Sequence, residues 1–202
     1  MENLKAIGKK ENGEIVEFEV VNGYIYCSGN NLIELHLPDG VKDVHCSHNN
    51  LTKLHLPDGV EKVWCSHNNL TELHLPDGVK VVNCSGNKLK ELHLPDGVKK
   101  VYCLSNELTE LHLPDGIKDV WCAGNKLKEL HLPDGVKIVH CSDNNFANDD
   151  TYFVNPKTDR VVIKQGDLYS CGCCCMKTKK DFYSICKEKG FFEIIEHFKL
   201  NS

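Results

Sequence analysis

The chain has 202 residues, with 24 Lys and Arg against 29 Asp and Glu, a net charge of −5 and 41% hydrophobic residues. Charges of both signs are interleaved, so composition gives no basic surface to neutralise a nucleic-acid backbone. No run approaches the roughly 18 apolar residues of a membrane-spanning helix, and Met1-Lys10 holds no apolar run of a secretion signal, so a cytoplasmic protein is expected.

Three regions follow in chain order. Residues 1–23 read as an N-terminal β-hairpin cap. Glu14-Ile15-Val16-Glu17-Phe18-Glu19-Val20 alternates as a strand does, and Asn12-Gly13 before it is a hairpin turn signal. A hairpin from Leu4 to Val20 would cover the first repeat of the region that follows.

Residues 24–146 repeat at a constant step of 19 in residue number, marked by Cys27, Cys46, Cys65, Cys84, Cys103, Cys122 and Cys141. A fixed period of this size is the signature of a solenoid. One unit runs from Val41 to Gly59. In Val44-His45-Cys46 apolar residues alternate with a polar one, which predicts a short strand with Val44 and Cys46 inward and Asp43 and His45 outward. Asn49 recurs as Asn30, Asn68, Asn87, Asn106, Asn125 and Asn144. An inward Asn carries donors and an acceptor, so a stack of them can satisfy backbone groups at successive bends. Leu51, Leu54 and Leu56 fill the interior from the other side, as extended chain or a short second strand. Pro57-Asp58-Gly59 then makes a tight turn with a left-handed exit. One unit cannot bury enough apolar surface to offset its chain entropy, so the units must stack.

Each unit begins V-x-x-V-x-C-x-x-N-x-L. This resembles the leucine-rich repeat L-x-x-L-x-L-x-x-N-x-L over about residues 22–146. The nested Leu51-Thr52-Lys53-Leu54-His55-Leu56 and the cysteine are similar to the short bacterial repeats called IRREKO and to the cysteine ladder of some internalins. The resemblance implies an α/β fold by convention, mostly β in content. It would be a leucine-rich-repeat solenoid of about seven parallel strands with an N-terminal hairpin cap and a C-terminal hairpin-plus-helix cap. It also implies a protein-binding scaffold without catalytic machinery or cofactor.

The seven periodic cysteines are expected to be buried thiols. Neighbours ~4.8 Å apart lie within disulfide reach, but in-register strands hold their Cβ vectors side by side. His36, His55, His74, His93, His112 and His131 form an outward row. Such a row could ligate transition metals, or could be a solvated surface copied by duplication.

The outward residues of the strands vary while the inward ones barely change. One row is Tyr26, His45, Trp64, Asn83, Tyr102, Trp121 and His140; two residues earlier stand Tyr24, Asp43, Lys62, Val81, Lys100, Asp119 and Ile138. Tyr26, His45, Trp64, Tyr102, Trp121, His140, Lys62, Lys100 and Asp119 are the candidate partner-binding residues. Trp64, Tyr102 and Trp121 would anchor a protein on the concave sheet of a monomer. Cross-strand stacking within the ladder is the other reading of the aromatic row.

Residues 147–202 break the period. Tyr152-Phe153-Val154 and Arg160-Val161-Val162-Ile163-Lys164 read as a hairpin around Asn155-Pro156. From Lys177 the apolar spacing becomes helical. Asn155-Pro156-Lys157-Thr158-Asp159-Arg160-Val161-Val162 resembles a segment of the two-cysteine adaptor modules of large DNA viruses, with Asp159 in place of Gly and Val162 in place of Ile. Cys171, Cys173, Cys174, Cys175 and Cys186 could bind zinc, although C-x-C-C-C lacks the C-x-x-C spacing. They could be acylated beside Lys177, Lys179 and Lys180, or be thiols without a special role. A self-associating structural protein, or an adaptor anchored or metallated through this cluster, is the alternative to the binding scaffold.

Overall fold

The computed structural model describes residues 4–133, 136–141 and 143–146, and the backbone of strands at 152–155, 160–165, 168–171 and 177–178. The central element is a seven-stranded parallel sheet. Its strands are β3 (Tyr24–Tyr26), β5 (Asp43–His45), β6 (Lys62–Trp64), β7 (Val81–Asn83), β8 (Lys100–Tyr102), β9 (Asp119–Trp121) and β10 (Ile138–His140), in that order. Equivalent residues pair, so Tyr24 faces Asp43, Asp43 faces Lys62 and so on to Ile138, at a constant offset of 19. Each strand is short because the chain must bend back within the unit. The pairing runs on past the strand, with Cys46 N donating to Trp64 O at 2.8 Å.

The bend is built by the asparagine column. Asn49 Oδ1 accepts from Leu32 N and Asn30 N, each at 3.0 Å, and its Nδ2 donates to Cys27 O at 2.9 Å and Cys46 O at 3.0 Å. Asn68, Asn87, Asn106, Asn125 and Asn144 make the same link to the preceding unit and to their own. Backbone groups turned inward at a bend have no strand partner, and an unmet one costs about as much as a lost hydrogen bond. The column supplies those partners.

Val44, Cys46, Leu51 and Leu54 with their equivalents fill the interior, and the seven ladder cysteines are free thiols at 0% exposure. Leu56, Leu75 and Leu94, expected in the interior, are only half-buried beside the turn prolines. Burial removes the solvent that would stabilise a thiolate. It pushes Cys27, Cys84 and Cys122 up to about 12 from the ordinary 9.0, and raises Cys46, Cys65, Cys103 and Cys141 as well.

The N-terminal hairpin forms as expected from β1 (Lys5–Lys10) and β2 (Ile15–Glu19). Its β1 also pairs antiparallel with β4 (Leu32–His36), giving the order β2-β1-β4. The leucine segment is a strand only here, where β1 lends it a ladder partner. In the units that follow, the same segment is extended chain held by single bonds such as Asn69 N to Leu51 O at 2.8 Å. At the turns Gly40, Gly59, Gly78 and Gly116 take the expected positive φ, whereas Gly97 does not.

Beyond the repeats, β11 (Tyr152–Asn155), β12 (Arg160–Gln165), β13 (Leu168–Cys171) and β14 (Lys177–Thr178) form an antiparallel sheet in that order. The first two pair with Tyr152 opposite Ile163, the hairpin read from the sequence. Lys177 and Thr178, where a helix was expected to begin, are strand; the later residues for which helix was expected and the Cys173–Cys175 cluster with Cys186 lie outside the described residues.

One recurring feature escapes the sequence pattern. The position before each column asparagine is left-handed: Gly29, His48, His67, Gly86, Ser105, Gly124 and Asp143 have φ of +52 to +69°. Glycine recurring in that slot is its trace in the sequence. His48 and His67 stack there with ring centroids 4.6 Å apart, and a Cβ on Gly86 would stand 2.8 Å from His67 Nδ1. Gly86→Ala should therefore lower stability by about 1–2 kcal/mol through left-handed strain and crowding. Gly29→Ala, which meets nothing, should show the strain alone. Urea unfolding of both, with Gly86→Ala repeated beside His67→Ala, checks this: relief of the excess loss in the double variant is required.

Candidate binding face

The parallel sheet presents its variable residues on one face, because alternate side chains of each strand point away from the core. In-register pairing then sets the row residues of neighbouring units side by side. The aromatic row forms a near-continuous stack. Centroids lie 4.6 Å apart for Tyr26–His45, 5.9 Å for His45–Trp64, 5.8 Å for Tyr102–Trp121 and 3.6 Å for Trp121–His140. Trp64 and Tyr102, two strands apart across Asn83, are 6.4 Å apart with planes 29° from parallel. Stacking of this kind stabilises a ladder by about 0.5–1.5 kcal/mol per pair beyond burial. It leaves Trp64, Tyr102 and Trp121 half-buried against one another, while Tyr26 at the end is 66% exposed.

The second row differs from expectation. Asp43 and Asp119 belong to the outer face yet are only 5% and 7% exposed. Lysines from the adjacent strands cover them: Lys62 Nζ is 3.4 Å from Asp43 Oδ2, and Lys100 Nζ is 2.8 Å from Asp119 Oδ2. The Asp119 carboxylate holds the Lys100 ammonium above its ordinary value, chiefly through that hydrogen bond. His45 Nε2 lies 3.0 Å from Asp43 Oδ1, within ion-pair reach when protonated, but without hydrogen-bond alignment, and Oδ1 accepts no bond. Asp119 is thus a buried counter-ion for Lys100 and offers a partner little surface of its own. Lys62, Lys100, Trp64, Tyr102, Trp121, His45, His140 and Tyr26 are brought together on the face.

The histidine row lies apart from it, on the leucine segments. His36, His55, His74, His93, His112 and His131 are exposed, with His36 Nε2 3.8 Å from Glu34 Oε2 and His93 Nε2 3.9 Å from Glu91 Oε2. Among the described residues no group of three or more His, Cys, Asp or Glu side chains is arranged to hold a metal ion.

Short parallel strands at a constant offset, an asparagine column and a buried thiol row define a leucine-rich-repeat solenoid with a cysteine ladder. Two solved structures share this fold. The functional domain of InlJ from Listeria monocytogenes, which includes a cysteine ladder, is 24% identical over 52% of this chain, with a TM-score of 0.50. YopM from Yersinia enterocolitica WA-314 is 24% identical over 56% of the chain, also with a TM-score of 0.50. A Shigella effector LRR domain is 25% identical over 61% of this chain and 70% of its own, with a TM-score of 0.48. The chain spans only 25% of the length of the InlJ structure and 31% of that of YopM. No protein-family model and no curated protein matches it.

Proposed function

We propose that the chain is a non-catalytic, cytoplasmic scaffold that binds a protein through its parallel sheet. The observation that carries this is the row of large aromatic side chains collected on one face of an otherwise uniform repeat. Trp and Tyr are the residue types that dominate interface energies, because they bury much area at little cost in side-chain entropy. Self-association is the weaker reading. The open edge at β2 carries Glu17 and Glu19, and a second copy pairing there antiparallel would set like charges together.

The test is a pair of substitutions. Trp64→Ala and Trp121→Ala should each weaken capture of the partner from a lysate of the producing cell by ~2 kcal/mol, about 30-fold. Each loses stacking to two neighbours, so thermal unfolding must be followed alongside; a drop of about 1–3 kcal/mol is expected from the two lost pairs. A folded double variant that binds the same protein unchanged places the binding surface elsewhere.

A further inference from the structure

The aromatic row and the parallel sheet end together, at Tyr26. A ring inside the row, such as His45, has neighbours on both sides, Tyr26 at 4.6 Å and Trp64 at 5.9 Å. Tyr26 is stacked on one side only, because β3 is the edge strand, and it is 66% exposed. Two more exposed apolar side chains stand beside it. Tyr24 lies on the same face of β3, and Val21 pairs with Tyr24 across the tight turn of Asn22 and Gly23, both left-handed.

The backbone is open at the same place. Alternate residues of a strand in a parallel sheet turn their N–H and C=O to opposite sides. Cys27 turns to β5, its N donating to His45 O at 2.8 Å, so Tyr24 and Tyr26 turn outward. Tyr24 exchanges both bonds with Val21, at 2.9 and 3.0 Å. One residue further, the chain that supplied Val21 has left the edge: Val20 N donates to Leu4 O at 2.8 Å instead. Tyr26 N–H, Tyr26 C=O and Ser28 N–H therefore have no backbone partner among the described residues. Unpaired edge groups of this kind are a template for another strand.

We propose that an extended segment of the partner adds to this edge antiparallel to β3, with an aromatic residue opposite Tyr26. That residue exchanges both backbone bonds with Tyr26, as Val21 does with Tyr24. Its ring lies on the open side of Tyr26, as His45 lies on the other, and continues the stack by one member. A second copy of the chain does not fit the edge. The turn at Asn22 and Gly23 stands beside each β3, so two such edges collide before they pair. The β2 edge offers Glu17 and Glu19, and its Phe18 packs on the core. The proposal rests on the reading of the aromatic row as a protein-binding surface and names the segment that engages its open end.

The probe is the peptide acetyl-KTVWVTK-amide, titrated into the full chain and followed through the backbone amide signals of Tyr26 and Ser28. Saturable shifts of both are expected. The same peptide with alanine for tryptophan lacks the ring, and the one N-methylated at tryptophan lacks the N–H that Tyr26 C=O accepts. Each should bind at least tenfold more weakly. Tyr26→Ala should weaken the parent peptide at least tenfold, and Tyr26→Phe less than twofold; the unchanged amide signals of the distant units report that both variants are folded. Shifts centred on other strands, an alanine peptide that binds as well, or no saturation overturns the proposal. Peptides selected from a display library against the chain separate the two readings. Selected peptides that lose binding on Trp121→Ala but not on Tyr26→Ala sink the edge and leave the face. Peptides that lose it on Tyr26→Ala but are indifferent to Trp64→Ala and Trp121→Ala sink the face and leave the edge.

Discussion

Raising the pH above about 9 should unfold this solenoid in one steep transition. The seven ladder thiols are buried in the folded state, and burial holds their pKa values far above those of the unfolded chain; three stand at about 12 against the ordinary 9.0. The unfolded chain therefore loses these protons first. Stability is full below the unfolded value and falls as pH rises toward the folded one. Each thiol removes about 1.4 kcal/mol per pH unit in that window, so seven together remove roughly 10. A domain of this kind has roughly 5–15 kcal/mol to lose, which places the midpoint near pH 10. Circular dichroism from pH 8 to 11 reads the transition. Lysines and tyrosines also titrate there, so the decisive comparison is Cys65→Ala, Cys84→Ala and Cys103→Ala combined. That variant must show a pH slope shallower by roughly 4 kcal/mol per unit, however much its neutral stability drops. An unchanged slope would mean that the thiols ionise without leaving the core.

Replacing Asn87 by Leu should cost about 2–4 kcal/mol, the toll of one buried backbone N–H left without a partner and two carbonyls each deprived of one bond. Asn87 Oδ1 accepts from Leu70 N at 3.0 Å, and its Nδ2 donates to Cys65 O at 3.0 Å and Cys84 O at 2.9 Å. Leucine is close in size and more apolar, so transfer alone would favour it. Leu70 N would nevertheless be orphaned, at roughly 1–3 kcal/mol, and Cys65 O and Cys84 O would each lose one of two bonds, keeping those from Asn68 Nδ2 and Asn106 Nδ2; together these losses outweigh the gain. Urea unfolding measures the loss. Asn50→Ala, at the exposed position beside the column residue Asn49, is the control, with an expected change within ~0.5 kcal/mol. Equal losses at the two positions would show that the column fills space without bonding the bend.

The repeat was legible because its period reports burial directly. Val44, Cys46, Leu51 and Leu54 recur almost unchanged, with Ile25 and Phe146 as apolar exchanges, where nothing but an apolar side chain fits, and Asn49 recurs where a bend needs donors and an acceptor. The hairpin was legible from Asn12-Gly13. What escaped reading depends on a second strand. Asp43 and Asp119 look exposed on their own strands; only Lys62 and Lys100 reaching across from neighbours close over them. The leucine segment becomes β4 only beside β1, a partner no local pattern names. The left-handed column was hidden by His48, His67 and Ser105 standing among its glycines. Of the candidate face, the row itself could be read, and cross-strand stacking, one of its two readings, is what the rings do; which rings meet across Asn83 depends on side-chain angles.

The constant offset has a consequence for how such a chain grows and errs. A shift of the pairing by one whole unit returns Val, Cys, Leu and Asn to the places of Val, Cys, Leu and Asn, so the interior is degenerate under that slippage. A core of this kind recognises residue class but not address. Address comes only from what does not repeat: the β1–β4 pairing at one end and the individual side chains of the outer face. Insertion or loss of one complete unit should pass through folding almost unnoticed, while loss of any other length scrambles inside and outside. Such a gene can lengthen or shorten its product in whole units and revise the outer face residue by residue, leaving the interior untouched.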